Sequence, residues 1–400
     1  MLIVQKFGGS SLSDAGKIER VAHVIAKGYR AGNDMVAVLS AQGDETDALL
    51  ARAREITDAP PARELDMLLS VGEQISVSLM AMQLAKMGLP AVSLTGWQAG
   101  IYTNGDHGAA RIEEVDTAPL RRALKKRQIV LVCGFQGVDT AGEITTLGRG
   151  GSDATAVAIA AALHAGRCQI FTDVEGIFSA DPRKVPGAKK WDAVRFDEML
   201  ELASLGSQVL QSRCVELAMR QGVELEVLSS YISAPGTVVT AAPEKAGRRA
   251  VTAITARTDT ACVTVDGLPA GAAGRILKAA AGMGPDTGLI TLSPGAEGDA
   301  LCFTVPDAAA DKVAALLEKN CAAFGFGRAW ITRGLAEVSA VGAGFMDDPG
   351  TTAAVFETLD KEEIAVHMVS TGEMKITVLV DGDKAGQAVA ALHRRFFGIN

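Results

Sequence analysis

Four hundred residues exceed what one compact domain usually holds, so two or three domains are expected. The balance of 39 Lys+Arg against 47 Asp+Glu gives a formal net charge of −8, which argues against a nucleic-acid surface. No apolar run reaches the roughly 18 residues of a membrane span and the opening MLIVQKFGGSS is unlike a signal peptide, so a cytoplasmic protein with neither nucleic acid nor membrane as partner is expected.

The chain opens with an apolar strand at 2–7, the turn Gly8-Gly9-Ser10-Ser11 and an amphipathic helix from about Asp14 to Gly28. A second apolar run at 35–40 ends on Ser40 and a polar segment, and 48–56 reads as helix. Strand, loop and helix repeat through 61–88, 90–94 and 117–127, and then comes a strand at 129–133. Two more strands follow at 169–174 and 225–230, the latter after a helix near 198–220. Short continuous apolar runs alternating with helical patterns are what a mainly parallel sheet sandwiched by helices produces. Residues 1–240 are therefore read as one α/β domain.

Two prolines and two glycines within 234–249 mark a linker, set at 241–250. Beyond it the pattern shortens: strands at 251–256 and 261–266, a helix at 271–281, a strand pair ending near 305 and a helix at 307–319. The register recurs with strands at 337–342, 364–370 and 375–380 and helices at 349–360 and 383–396. This βαββαβ duplication predicts two small α+β modules, 251–325 and 326–400, whose strands can be exchanged or interleaved. Such a tail reads as a regulatory or assembly module, the plainer alternative being dimerisation alone.

The stretch that organises the rest is 143-EITTLGRGGSDATAVAIAAAL-163. Gly148, Gly150 and Gly151 immediately before a small-residue helix turn backbone N–H groups and the positive helix end toward an anion. Glycines also mark plain turns. Arg149 favours the functional alternative, because a planar five-donor fork suits a carboxylate or phosphate better than a structural turn. Six cysteines, at 133, 168, 214, 262, 302 and 321, include no CxxC pair and read as small buried hydrophobes; neither a disulfide scaffold nor a zinc site is indicated.

The motifs KFGGSS at 6–11, SAQGDETD at 40–47, LLSVGEQIS at 68–76, SLTGWQAGI at 93–101, CGFQGV at 133–138, TTLGRGGSDATA at 145–156 and FTDVEGIFSADPRKV at 171–185 together resemble the bacterial aspartate kinases of the amino-acid kinase family. The likeness covers 1–240, and the duplicated tail resembles that family's paired ACT modules, which have a ferredoxin-like fold. It implies ATP-dependent phosphorylation of the side-chain carboxylate of L-aspartate, the first step toward lysine, threonine and methionine, with Mg2+ carried by the nucleotide phosphates and no metal held by the protein. The alternative is another amino-acid kinase, acting on glutamate or an acylated amino acid.

The resemblance implies catalytic roles for Lys6, which ends the first strand, and Asp153. Substrate binding falls to Thr46, Asp47, Glu73, Arg149, Gly150, Gly151 and Ser152. Taken alone, Thr46 reads equally as a helix cap. Glu73 is a carboxylate inside an apolar helix, unusual unless it meets solvent or a partner, and the resemblance assigns it the substrate's ammonium. Nucleotide binding falls to Lys6, Gly8, Gly9, Ser40, Thr172, Asp173, Phe178, Asp181, Arg183 and Lys184, although two adjacent basic residues on a turn are more often merely solvated.

Two departures stand out. Gln208 replaces a lysine found in some relatives, and the turn before the first tail helix is 268-LPAGAAGRI-276, without the usual Asp-Arg-Pro-Gly character. The second module keeps its turn at 346-MDDPG-350. A homodimer through the ACT-like modules, a lysine or threonine effector and a separate short ACT subunit are the partners the resemblance brings. No methionine lies between Met219 and Met283, so an internal start would need a non-Met codon.

Overall fold

The computed structural model describes residues 1–207, 209–242, 249–284, 287–295 and 298–398, with the side chains of residues 346 and 347 excepted; Gln208 and part of the linker thus lie outside the described residues. Two compact units result: Met1–Ile177 with Lys190–Ser204 and Gln208–Ala246, and Phe178–Lys189 with Leu205–Ser207 and Gly247–Asn400.

The first unit runs β1 (Leu2–Phe7), α1 (Ala15–Arg30), β2 (Asp34–Leu39), α2 (Glu45–Ile56), α3 (Ala62–Leu69), α4 (Val71–Lys86) and β3 (Ala91–Leu94). It continues through β4 (Ile101–Thr103), β5 (Ile112–Val115), α5 (Ala118–Lys125), β6 (Ile129–Cys133), β7 (Gln136–Val138), β8 (Ile144–Thr146) and α6 (Gly151–Leu163). It closes with β9 (Arg167–Thr172), β10 (Ala193–Arg195), α7 (Phe196–Ser204), α8 (Ser212–Gln221), β11 (Leu225–Ser229) and β12 (Thr237–Thr240).

Among the described residues the main sheet has the order β10-β12-β11-β9-β1-β2-β6-β3, parallel except where β12 meets β11. β1 is central because its side chains are almost wholly buried, and it pairs in parallel with β2 on one side and β9 on the other. The chain leaves β1 toward β2 and returns on the opposite side at β9, which makes the carboxyl end of β1 a switch point where ligands collect. Helix α1 shows how the elements are specified: the Asp14 carboxylate caps it by accepting from Lys17 N at 2.9 Å, and Ile18, Val21, Ala22 and Ile25 face the core.

Some boundaries differ from expectation. The helix expected near 198–220 is two helices, α7 and α8, because Gly206 takes φ 101 between them and leaves helical space. A small sheet, β5-β4-β7-β8, stands where the sequence shows no long apolar run, since strands of three or four residues carry too short a pattern to read. The stretch Ala62–Lys86 is long and apolar enough to span a bilayer, yet Gly72, Glu73, Ser76, Val77, Met80 and Leu84 on one face are buried within this unit.

The second unit contains β13 (Ala253–Leu268), α9 (Ala272–Ala281), β14 (Ile290–Gly295), β15 (Gly298–Pro306), α10 (Asp307–Lys319), α11 (Cys321–Phe324), β16 (Arg328–Val341), α12 (Gly344–Asp347), α13 (Pro349–Lys361), β17 (Met368–Thr371), β18 (Lys375–Asp381) and α14 (Ala385–Phe397). Its strands form one antiparallel sheet, β14-β15-β13-β16-β18-β17. The strands expected at 251–256 and 261–266 are a single long β13, whose first half pairs with Glu337–Val341 and whose second half pairs with both β15 and Arg328–Leu335. The duplication survives in the packing, because each half of the sheet has its own core. One holds Val263, Ile276, Phe303 and Val313, the other Ile254, Val338, Leu359, Ile376 and Leu392. The segment Phe178–Lys189 belongs with the latter core through Ala180 and Val185, and Ser179 Oγ lies 2.8 Å from His393 Nε2.

Candidate active site

Lys6 is the penultimate residue of β1, flanked in register by Val38 of β2 and Ile170 of β9, so its side chain leaves the sheet near the carboxyl ends of all three strands. A cavity of about 380 Å³ opens there, lined by Lys6, Gly8, Gly9, Ser10, Ser40, Thr46, Glu73, Thr172 and the whole run Gly148–Asp153. Twelve of the sequence-predicted residues therefore meet in one place. They arrive from β1, the loops after β2 and β8, the first turns of α2, α4 and α6, and the end of β9.

The backbone is shaped for close approach. A Cβ on Gly9 would lie 2.6 Å from Ala41 O, so this turn packs against the loop after β2 only as glycine. Gly150 caps α6 at φ 74, and a Cβ there would fall 2.5 Å from Gln211 Cγ. Gly150, Gly151, Ser152 and Asp153 thus bring the N-terminus of α6, with the positive end of its dipole, to the cavity wall.

Two charged features dominate. Lys6 Nζ lies 2.7 Å from Asp153 Oδ1, and both side chains are largely buried. Asp153 occupies the first turn of α6, where the helix end favours its negative charge. Glu73, only 2% exposed, accepts from Ala41 N at 3.0 Å through Oε1, while Oε2 has no hydrogen-bond partner among the described residues. Burial pushes its pKa up to about 8, against the opposing pull of the Ala41 N–H. A half-satisfied buried carboxylate on a cavity wall is a receptor for a cation. Arg149 is exposed and lines the same cavity.

Thr46 is inside α2 beyond the N-cap Asp44 and makes no capping bond, which leaves its position on the cavity wall. Asp47 and Asp173 are exposed and do not line the cavity; Asp173 accepts from its neighbour Thr172 Oγ1 at 3.1 Å. Phe178, Asp181, Arg183 and Lys184 belong to the second unit and are likewise not on the cavity wall. The Arg183 fork meets both Asp181 oxygens at 3.0 Å, so this DPRK turn is an ion-paired turn in its own right. Residues that sequence reasoning left without a role also line the cavity, among them Phe135, Val209 and Gln211. Phe135 has φ 66, a strained value for a bulky residue, and its position inside the quoted CGFQGV motif was the available signal.

The amino acid kinase family model matches residues 1–229, and an ACT domain model matches 338–396. An aspartokinase of Mycolicibacterium smegmatis is 45% identical over 99% of this chain and 96% of its own length. The chain belongs to the amino acid kinase family, among the aspartokinases. The structure of Escherichia coli aspartokinase III in complex with aspartate and ADP superposes with a TM-score of 0.80 at 27% identity, covering 99% of this chain and 100% of the other. The same enzyme in complex with lysine and aspartate gives a TM-score of 0.80 at 28% identity and covers 99% of each chain. Each of these matches covers 99% of this chain and so extends over the residues of both units.

Proposed function

We propose that this protein is an ATP-dependent aspartate kinase, which forms 4-phospho-L-aspartate from L-aspartate in the first step toward lysine, threonine and methionine. The observation that carries the reading is the meeting, in one cavity, of Lys6, the half-satisfied carboxylate of Glu73 and the guanidinium of Arg149. Glu73 takes the substrate's ammonium and Arg149 its α-carboxylate, with Ser152 and Thr46 beside them as hydroxyl donors. A zwitterion gripped at both charges leaves its side-chain carboxylate toward Lys6.

One carboxylate oxygen attacks the γ-phosphorus. A new P–O bond forms, the bond to the bridging oxygen breaks, and its electron pair leaves on ADP. The acceptor is already ionised at neutral pH, so no general base is required. Positioning and charge stabilisation supply the catalysis. Lys6 neutralises the transferring group, Asp153 holds Lys6 in place, and the N–H groups of Gly8, Gly9 and the α6 N-terminus face the phosphates. Ser40 and Thr172 complete the donor side. Magnesium would accompany ATP as part of the substrate and would help to neutralise the charge of the transferring phosphoryl group. Asp47 and Asp173 are secondary to this set, and Phe178, Asp181, Arg183 and Lys184 are left out of it.

The ACT match and the lysine complex of E. coli aspartokinase III support a second proposal for the tail: it pairs two copies of the chain and takes lysine or threonine as effector. The test of the catalytic reading is ADP release with L-aspartate, L-glutamate and N-acetyl-L-aspartate. Turnover of aspartate alone is expected, because the acetylated compound offers no ammonium to Glu73. Preferential turnover of glutamate or the N-acyl compound would overturn the assignment.

A further inference from the structure

Asp66 of α3 is fully buried, yet nothing in the phosphoryl transfer uses it. Its Oδ1 accepts from Thr146 Oγ1 at 2.5 Å and its Oδ2 from Thr146 N at 3.0 Å, while Gly108 N donates to both oxygens at 3.1 and 3.0 Å. His107 Nδ1 lies 2.9 Å from Oδ2. Thr146 is the last residue of β8, three positions before Arg149; Asp66 itself lies seven positions before Glu73, with Ser70 joining α3 to α4. The Gly108 segment also touches the Arg149 loop directly, since a Cβ on Gly148 would lie 3.1 Å from Gly108 O.

We infer that Asp66 is a positioning residue for the substrate subsite, its carboxylate locking α3, which leads through Ser70 into the helix that carries Glu73, to the end of β8 just before the Arg149 loop. The inference rests on the proposed roles of those two residues. Holding a zwitterion at both charges demands a fixed spacing between ammonium receptor and carboxylate receptor, and a shift of about 1 Å between them loses both contacts. A carboxylate suits the task because it is acceptor-only: it satisfies two backbone N–H groups, a hydroxyl and an imidazole N–H at once. An asparagine of the same shape would turn its NH2 group against the N–H of Thr146 or Gly108.

The test is steady-state kinetics on the full chain with Asp66→Asn, Thr146→Val and Thr146→Ser, the KM for aspartate and for ATP measured separately and thermal midpoints recorded alongside. Asp66→Asn is expected to raise the aspartate KM at least tenfold, and Thr146→Val at least threefold, with the ATP KM within about twofold of wild type. Thr146→Ser keeps the hydroxyl and is expected to restore near-wild-type KM. A merely structural role would lower the thermal midpoint and active fraction while leaving the aspartate KM unchanged, or would raise both KM values in proportion; either result overturns the inference. Should Asp66→Asn fail to fold, the two Thr146 variants decide alone. Wild-type turnover of aspartate in the same assay separates a failure of the kinase reading from a failure of this one.

Discussion

On the proposed role of Glu73, aspartate binding is expected to release a proton. With a pKa raised to about 8 by burial, the free enzyme holds this carboxyl protonated at pH 7 in roughly nine molecules of ten. With the substrate's ammonium on the ionised form, as proposed, binding at pH 7 is expected to expel about 0.9 proton, falling to about 0.5 at pH 8. Ionising the group one unit below its pKa costs about 1.4 kcal/mol, a tenfold loss of affinity that disappears as pH rises through 8. The same shift has the opposite sign for the empty enzyme: between 4.5 and about 8 the folded state keeps a proton that the unfolded chain has lost. Its contribution to stability is therefore full below 4.5 and is lost as pH rises toward 8. Calorimetric titration of aspartate at pH 7 in buffers of different ionisation enthalpy reads the proton count directly. Glu73→Gln should abolish the release, weaken aspartate binding and leave ATP binding nearly intact. Release below about 0.3 proton in the wild type, or an aspartate affinity flat from pH 6.5 to 8, would refute the reasoning.

Lys6→Ala should cut kcat by more than a hundredfold, since loss of one electrostatic contact to a developing charge costs about 3–4 kcal/mol; a fall of less than tenfold in steady-state assays would remove Lys6 from the transition state. Gly150→Ala should raise the aspartate KM because the residue sits at φ 74 with Gln211 Cγ only 2.5 Å from any Cβ, and an unchanged KM would show that the loop adapts freely. In the tail, Asp348 caps α13 by accepting from Gly350 N at 2.9 Å, whereas Gly271 begins α9 without a side-chain cap. Asp348→Ala should therefore cost about 1 kcal/mol by thermal denaturation. Inhibition by lysine or threonine is expected to be weaker or narrower than in relatives with both turns intact, and to be abolished by changes at 347–350; abolition by changes at 270–273 alone would place the working turn in the other half. Burial holds His393 below the usual 6.5, so its contribution to stability is present above that value and lost as pH falls beneath it. His393→Gln should flatten the melting temperature between pH 6.5 and 5, and an unchanged slope would show that another group carries the acid sensitivity.

Much of this protein was legible from residues alone because its chemistry sits in contiguous motifs. β1 and Lys6, the Gly148–Gly151 turn and Glu73 in an apolar helix each carry a local signal, an apolar run ending in glycine or a charge where none belongs. The period of the tail likewise disclosed two related halves. Nothing local says that a carboxylate at 66 answers a threonine at 146, or that Gln211 closes over Gly150, because those partners are set by the sheet order and not by neighbours in sequence. The same cause explains what was misread. β13 looks like a pair of short strands and only the 337–342 end of β16 is legible, because the halves of each face different cores and only the shared sheet makes each continuous. The nucleotide role of the DPRK turn comes from resemblance alone, and sequence gives no sign that Ala180 and Val185 pack into a core with Ile254 and Leu392. Side-chain type and spacing determine which chemistry is present. Which groups are brought within hydrogen-bonding distance is settled by burial, since a chain of this length closes its sheet wherever the largest apolar surface leaves water.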